Sequence, residues 1–372
     1  IKHESFLTLI EIINWKFNLR SITMHQKSFD EDLDDLQNQR QSLIQNISNH
    51  YRYQWLNTKL FSKAAKKGWF PRSPEEIKLE YDPIVSDPLF DAPDNASSMQ
   101  AKILYHNTLS AYFHLGGDNP KSYSHSKEAE KIFTENPLLI DSNPEDYISC
   151  LSSLVFTSMF LGNYHEAFQQ ISILKKFNPR SKALQAKIFI SAYLPEIISY
   201  NINGQVDAGL KLIEDIEPKL SSLQNLLPRR DILYLQYNFA CISFKAGDFK
   251  KSGQWIFRIM NDSDLNFMHD LHTKAKVLNL MIQTELDNVE LLPYLIRSTY
   301  RFLLQQQRLY KFERTILHFI RELPGISPKE ITAQYEKLRL NLIELSKDPY
   351  EEKAMNMFGI LGWVDRKAKS IS

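Results

Sequence analysis

The feature that most constrains this chain is a turn that recurs at nearly constant intervals. Gly162-Asn163-Tyr164, Gly204-Gln205-Val206, Gly247-Asp248-Phe249 and Asp287-Asn288-Val289 follow one another at separations of 42, 43 and 40 residues. The residue nine places after each turn residue is isoleucine, and the residue five places after the first three is small: Ile171, Ile213, Ile256 and Ile296, then Ala167, Gly209 and Ser252. A period of this length is typical of stacked helical hairpins, because no hairpin can bury its apolar face without its neighbours. The sequence therefore predicts an all-α array of antiparallel helical hairpins.

The composition agrees with helices and narrows the class of partner. Only 11 of the 372 residues are glycine, and no alternation of apolar and polar residues persists long enough to predict a strand. The formal net charge of +1 argues against nucleic acid as a partner, since such proteins usually carry a positive excess or a basic stripe. No apolar run approaches the length of a membrane span.

The two cysteines give weak information about the compartment. Cys150 and Cys241 both lie inside apolar helical patterns, which favours two buried thiols over a redox pair. We therefore expect a reducing, cytoplasmic location. The chain begins with Ile1 rather than methionine, so a missing N-terminal part and a lost targeting signal remain open.

Changes in composition divide the chain into four segments. A long helix is predicted from Ser28 to Lys67, because acidic residues open it, lysines close it, and Gly68 suits a left-handed C-terminal cap. Five prolines then interrupt any long helix. The predicted segments are an N-terminal helical or coiled segment, a proline-rich linker, the repeats and C-terminal capping helices, at residues 1–68, 69–98, 99–325 and 326–372.

The last helical segment has two possible roles. Its apolar residues are followed by Arg366, Lys367 and Lys369, a pattern that could form a helix lying on a membrane surface. The alternative is a helix that caps the last exposed face of the array, which stacked hairpins require, and we favour capping. The apolar residues are Met355, Met357, Phe358, Ile360, Leu361 and Trp363.

The turn sequences resemble the tetratricopeptide repeat. In that family a Gly-Asp-Tyr turn joins helix A to helix B, a small residue on B packs against A, and proline ends the unit. Gly162-Asn163-Tyr164 with Ala167, Leu174 and Pro179 is similar, and so is Gly247-Asp248-Phe249 with Ser252, Ile259 and Ala240 on the preceding helix. The unit here is about 42 residues rather than the 34 of that family, so longer helices are expected. The resemblance implies a right-handed superhelix.

A wider resemblance covers roughly residues 70–372. Tyr123-Ser124-His125-Ser126-Lys127, Asn143-Pro144-Glu145-Asp146-Tyr147, Arg308-Leu309-Tyr310-Lys311-Phe312-Glu313 and Asp348-Pro349-Tyr350-Glu351-Glu352-Lys353-Ala354 resemble stretches of uncharacterised bacterial proteins of the tetratricopeptide type. This resemblance implies no activity.

The resemblance also suggests a binding surface. In tetratricopeptide proteins the concave groove is lined by helix A, at two, three, six, ten and thirteen residues before the turn glycine. Aromatic and methionine side chains at those positions would suit a peptide, although they would equally suit burial against a neighbouring helix. The proposed groove residues are Phe156, Met159, Phe160, Asn201, Tyr234, Tyr237, Phe244 and Lys245.

Two clusters could carry chemistry, and for both we favour a structural interpretation. The acids at Asp30–Asp35 open a solvated helix, where the helix dipole favours them, so a magnesium site is not expected. His269 and His272 lack the further ligands that zinc requires. No phosphate loop, nucleophile elbow or zinc-protease pair is present, so no catalytic residue, metal or cofactor is predicted.

The sequence therefore predicts a non-enzymatic scaffold that binds a protein or peptide partner on the concave face of a helical array. The alternative is a ligand- or peptide-responsive regulator whose effector domain lies in a missing N-terminal part. An upstream helix-turn-helix would favour the regulator.

Overall fold

The computed structural model describes residues 6–22, 29–69, 71, 73–288, 290–305, 310–326 and 330–370. Within these residues every regular element is helical, with nineteen α-helices and four short 3-10 helices. The prediction of an all-α chain is confirmed to this extent. The chain divides into two compact units, Ile1–Ser62 with Lys78–Asn163 and Lys63–Ile77 with Tyr164–Ser372. The boundary between Asn163 and Tyr164 falls inside the predicted repeat region.

The first unit begins with two helices that pack on each other. Phe6 and Ile13 of the first helix are buried against Leu36 and Leu43 of the second, which is the predicted long helix. The helices that contribute to this unit are α1 (Phe6–Ile22), α2 (Phe29–Lys67), α3 (Pro74–Glu80), α4 (Asp82–Val85), α5 (Met99–Gly116), α6 (Asn119–Glu135), α7 (Leu138–Ser142) and α8 (Pro144–Phe160).

The proline-rich segment is folded onto this unit. Pro83, Pro88 and Pro93 each lie in the first turn of a short helix, where a missing N–H costs nothing. Tyr81 and Ile84 are buried. The Tyr53 hydroxyl of α2 donates to the Leu89 carbonyl, Arg52 pairs with Asp87 at 2.9 Å, and the Tyr112 hydroxyl of α5 donates to Asp82 at 2.9 Å. Residues 78–98 of the predicted linker are thus packed as part of the first unit.

Two histidines of the first unit share a hydrogen bond. The Nδ1 atoms of His106 on α5 and His125 on α6 lie 3.0 Å apart, so one ring donates and the other accepts. Burial, the neighbouring imidazole and Lys102 lower the pKa of His106 to about 4. Burial also lowers the pKa of His125. Both rings are therefore neutral at pH 7.

Five turns between helices share one hydrogen-bonding pattern. At Gly117, Gly162, Gly204, Gly247 and Asp287, the turn residue has positive φ and its N–H donates to the carbonyl three residues earlier. The next N–H donates to the carbonyl five residues before itself. This is the Schellman arrangement, which ends a helix with a left-handed residue. Four of these turns were recognised in the sequence as one repeating pattern, whereas Gly117 was expected only to end a helix.

The hairpins after Gly117 and Gly247 also share a buried hydrogen bond. The Ser122 hydroxyl donates to the Ser110 carbonyl at 2.8 Å, and the Ser252 hydroxyl donates to the Ala240 carbonyl at 2.8 Å. Each serine lies five residues after its turn glycine, and each carbonyl lies seven residues before it. A serine hydroxyl can make this bond only where two helices approach closely. The small serine therefore permits the close approach and also bonds the two helices.

In the second unit, successive helices pack along the chain. Each helix from α9 to α16 contacts the one that follows it in the chain, and α12 also contacts α10 and α14. Toward the C-terminus, α19 packs on α17 and α18. The helices are α9 (Tyr164–Lys176), α10 (Lys182–Ile202), α11 (Val206–Leu223), α12 (Arg229–Lys245), α13 (Phe249–Met260), α14 (His269–Glu285), α15 (Leu292–Gln305), α16 (Lys311–Glu322), α17 (Ile331–Leu345), α18 (Pro349–Phe358) and α19 (Ile360–Ser370).

The residues that recur after each turn are core residues. The four isoleucines at the shared position are 1–7% exposed, and the small residues Ala167, Gly209 and Ser252 are buried. Ile360, Trp363 and Val364 of the last helix lie in the same core. Val289 and the Arg308-Leu309 pair, which also entered the sequence predictions, lie outside the described residues.

Replacing Gly209 by alanine is expected to lower the free energy of unfolding by about 1–3 kcal/mol, because the core there has no room for a methyl group. A Cβ atom at Gly209 would lie 2.8 Å from Cδ1 and 3.1 Å from both Cγ atoms of Ile242, which is itself fully buried. Denaturant unfolding followed by circular dichroism measures the loss.

Gly253→Ala is the matched control. It also lies inside a helix, α13, but its added Cβ would meet only Ile282 at an ordinary 3.6 Å. Alanine should there raise stability by about 0.5–1 kcal/mol, since it favours helix more than glycine does. Equal responses at the two positions would contradict the close approach of α11 and α12.

Candidate functional site

The predicted groove residues of the second unit lie in a polar cluster on α10, α12 and α14. Asn201, Tyr234, Tyr237 and Lys245 are joined there by polar residues that the sequence did not single out for this surface. The added residues are Asn238, Cys241, Asp270 and Lys274.

Hydrogen bonds connect α10 to α12 within this cluster. The Asn201 side-chain amide donates to the Asn238 side-chain oxygen at 3.3 Å, and the Asn238 amide donates to the Tyr234 carbonyl at 2.8 Å. The Lys245 ammonium group donates to the Asn201 carbonyl near the end of α10. Because Asn201 and Asn238 are only 4–5% exposed, these bonds fix the register of the two helices.

The thiol of the cluster is buried. Cys241 is 3% exposed and lies beside Tyr237 and Asn201. Burial raises the pKa of the Cys241 thiol and, more strongly, that of the Tyr237 hydroxyl. Both groups therefore stay protonated at neutral pH, and a protonated buried thiol is unreactive. The chemistry of this cluster is hydrogen bonding.

On α14, an ion pair faces the end of α2. Lys274 is 4% exposed and its ammonium group lies 2.7 Å from the Asp270 carboxylate, one helical turn away. A Cβ atom built on Gly68 would lie 3.0 Å from Cβ and Cγ of Asp270, and Gly68 has φ of +97°. The chain leaving α2 thus passes so close to Asp270 that only glycine fits.

The C-terminal segment covers two further positions of the same surface. Lys245 lies two residues before its turn residue, and Glu285 lies two residues before the next one. A Cβ built on Gly359 would lie 2.8 Å from Cε of Lys245. Glu285 accepts hydrogen bonds from the Trp363 indole at 2.6 Å and the Lys367 ammonium group at 2.8 Å. Lys245 of α12 and Glu285 of α14, at equivalent offsets from their turns, therefore contact Gly359 and the last helix, respectively.

Burial and a neighbouring cation lower the pKa of Lys245. Burial lowers the pKa of the ammonium group, and the nearby Arg366 guanidinium lowers it further. The Glu285 side chain is 7% exposed and is compensated by Lys367 and the indole N–H, as a buried carboxylate requires. The shared offset of Lys245 and Glu285 from their turns marks the two as equivalent positions, but no signal in the sequence connects either of them with the last helix.

Tyr237 and Phe244 are buried, which is the alternative that the sequence left open for these proposed groove residues. Each is 3% exposed, and the Phe244 ring packs on Phe249 with centroids 5.3 Å apart. Helix α12 is contacted by its neighbours α10, α11, α13 and α14, so little of its surface reaches solvent. Tyr234 and Lys245 are half-buried.

The other three groove residues belong to the first unit. Met159 is buried, while Phe156 and Phe160 are half-buried. The Phe160 ring packs on His114 with centroids 4.6 Å apart, and the Phe160 carbonyl accepts a hydrogen bond from the Asn119 amide at 3.1 Å. These contacts place Phe160 against α5 and the start of α6.

The part of the chain that the structure describes offers no group of three His, Cys, Asp or Glu side chains that could hold a metal ion. His272 packs on the Phe302 ring with centroids 4.2 Å apart, and burial with the nearby Lys276 and His269 lowers its pKa to about 4.

Among the described helices, none is long and apolar enough to cross a membrane.

Comparisons with models of protein families, with curated proteins and with solved structures found no match for this chain. A function has to be inferred from its own residues.

Proposed function

We propose that the chain is a non-enzymatic scaffold that binds a protein or peptide partner, built from a right-handed array of hairpins of the tetratricopeptide type. The five turns with one hydrogen-bonding pattern support the array, as do the equivalent bonds of Ser122 and Ser252. Turn residues 40–45 positions apart agree with hairpins longer than those of the tetratricopeptide family.

The packing of alternate helices also supports the array. Helices α10, α12, α14 and α16 each contact the next member of that series, in addition to the helices beside them in the chain. In stacked hairpins, the first helix of each hairpin forms one such inner layer, and its exposed positions form the concave face. The polar cluster lies on this layer.

The observation that carries the proposed function is the position of α19. Gly359 lies beside Lys245, and Trp363 and Lys367 contact Glu285, so this segment lies against two positions that the proposed array assigns to its inner layer. An amphipathic helix held in a groove by an aromatic anchor and a charged pair is a recurrent mode of peptide recognition. These contacts support the proposal that the inner layer binds a helical partner segment.

The equivalent position on α10 is open. Ile202 also lies two residues before its turn glycine, and it is 37% exposed. A partner segment that lies along the inner layer would contact this side chain. The buried Cys241 thiol and the ion-paired carboxylates of Asp270 and Glu285 support binding rather than catalysis.

The test is capture of partners from the native cell by the full chain and by two matched variants, followed by mass spectrometry. Ile202→Arg places a charge on the open inner position, and capture of the main partner should be lost. Ile173→Arg changes an isoleucine of α9 that is 42% exposed, and capture should persist. Equal capture by both variants would exclude the inner layer as the binding face, and no captured protein at all would refute the scaffold.

A further inference from the structure

A cleft separate from the inner polar cluster opens between α9, α10 and α11 of the second unit. Its volume is about 440 Å³. The lining side chains include three lysines, two acids and two tyrosines, with an apolar wall from α11. Helix α10 packs against both α9 and α11, so the cleft is built on helices rather than on loops.

The floor of the cleft is a neutralised carboxylate. The Glu196 side chain is 8% exposed, and its Oε2 lies 2.6 Å from the Lys175 ammonium group. That ammonium group also lies 4.7 Å from the centroid of the Tyr193 ring, and Oε1 lies 3.4 Å from the Tyr200 hydroxyl. Because Lys175 compensates Glu196, the floor repels neither sign of charge strongly.

The rim of the cleft carries cations without partners. Lys211, Asp215 and Lys219 follow one another at four-residue spacing on α11, so they lie on one side of the helix. Lys211 and Lys219 are exposed and form no ion pair with any residue that the structure describes. The rim thus has an excess of positive charge directed to solvent.

The wall of the cleft is apolar. Ala208, Leu212 and Ile216 lie on α11 at the same four-residue spacing, beside the row of charged residues. Ala208 is exposed, whereas Leu212 is 8% and Ile216 only 1% exposed, so a ligand in the cleft meets aliphatic carbon chiefly at Ala208 and ammonium groups at the rim. This combination fits an anionic group attached to an aliphatic body.

We propose that this cleft binds an acidic segment of a peptide, in which carboxylates pair with Lys211 and Lys219 and an aliphatic side chain lies against the wall at Ala208. The proposal rests on the proposed function in that the ligand is a peptide. It adds a second binding site and the chemical class of that ligand, on residues that do not include Ile202.

The test is a fluorescence-anisotropy titration of the full chain with a short labelled peptide that alternates glutamate and leucine. Lys211→Gln with Lys219→Gln should weaken binding about tenfold at low salt, the effect of removing two charge contacts of a binding surface. Lys182→Gln with Lys250→Gln removes the same charge from exposed lysines of α10 and α13 and should leave binding unchanged. A peptide with glutamine in place of glutamate should bind poorly to every form.

Equal weakening by the two double variants would overturn the site, because attraction would then follow net charge alone. If inorganic phosphate displaced the peptide at concentrations similar to that of the peptide, the cleft would instead be a site for small anions. If the acidic peptide fails to bind while cellular capture still depends on Ile202, the cleft proposal falls and the scaffold stands. If both fail, the scaffold falls with it.

Discussion

A chain in which both Tyr237 and Phe244 are replaced by alanine is expected to lose the fold of its second unit. Each side chain is 3% exposed in the core, and truncation of a buried aromatic residue costs about 3–5 kcal/mol. The two residues lie about two turns apart on α12, so their losses should add approximately. The sum is comparable with the total stability of a typical domain, about 5–15 kcal/mol. Soluble expression and denaturant unfolding by circular dichroism measure the effect.

Exposed aromatic residues of the same unit provide the control. Phe257 on α13 is 70% exposed and Phe267 is 75% exposed. Replacing both by alanine should change stability by about 0.5 kcal/mol or less for each, as for most surface positions. If the Tyr237 and Phe244 double variant melted with the wild type instead, these residues would be groove residues and the core described for α12 would be wrong.

Trp363→Ala is expected to release α19 from the second unit and to cost about 3–5 kcal/mol. The indole is 1% exposed, stands edge-on to the Tyr335 ring at 6.0 Å, and donates a hydrogen bond to Glu285. Removing it opens a cavity and leaves the buried carboxylate with Lys367. Hydrogen exchange should show loss of protection in α19 together with a lower denaturant midpoint.

A conservative substitution separates packing from hydrogen bonding at this site, and a second substitution elsewhere is the control. Trp363→Phe keeps an aromatic ring and removes the N–H donor, so its cost should be smaller, about 1–3 kcal/mol. Trp15→Ala, at a tryptophan of α1 that is 66% exposed, should leave both hydrogen exchange and stability of the second unit unchanged. Protection of α19 that survives Trp363→Ala would show that the C-terminal helix is held by other contacts.

Local sequence signals predicted the helices and most of the turns. The positions Gly162, Gly204, Gly247 and Asp287 adopt the left-handed conformation because each ends a helix and reverses the chain, and glycine there carries no steric cost. The turn at Gly117 escaped notice as an equivalent. Asn119 stands where an aromatic or aliphatic residue follows the other turns, so the pattern was incomplete in the sequence although the hydrogen bonds are the same.

The candidate surface was less predictable, because burial depends on how many neighbours a helix has. A register counted from the turn proposed Asn201, Tyr234, Tyr237 and Lys245 as groove residues, and the structure places them in one cluster. It could not show that α12 is packed on several sides. The contact of Trp363 with Glu285 joins residues 78 positions apart, and no periodic signal links them.

The hydrogen-bonded imidazoles of His106 and His125 make the first unit sensitive to acid. Well above pH 6.5, both rings are neutral in the folded and in the unfolded chain. As the pH falls below 6.5, the unfolded rings take up protons, while the folded pair resists protonation because the pKa of His106 is about 4 and that of His125 is also lowered. The unfolded state then binds more protons than the folded state, so the free energy of unfolding decreases toward pH 4. The pair that joins α5 to α6 at neutral pH is therefore a point at which mild acidification loosens this hairpin.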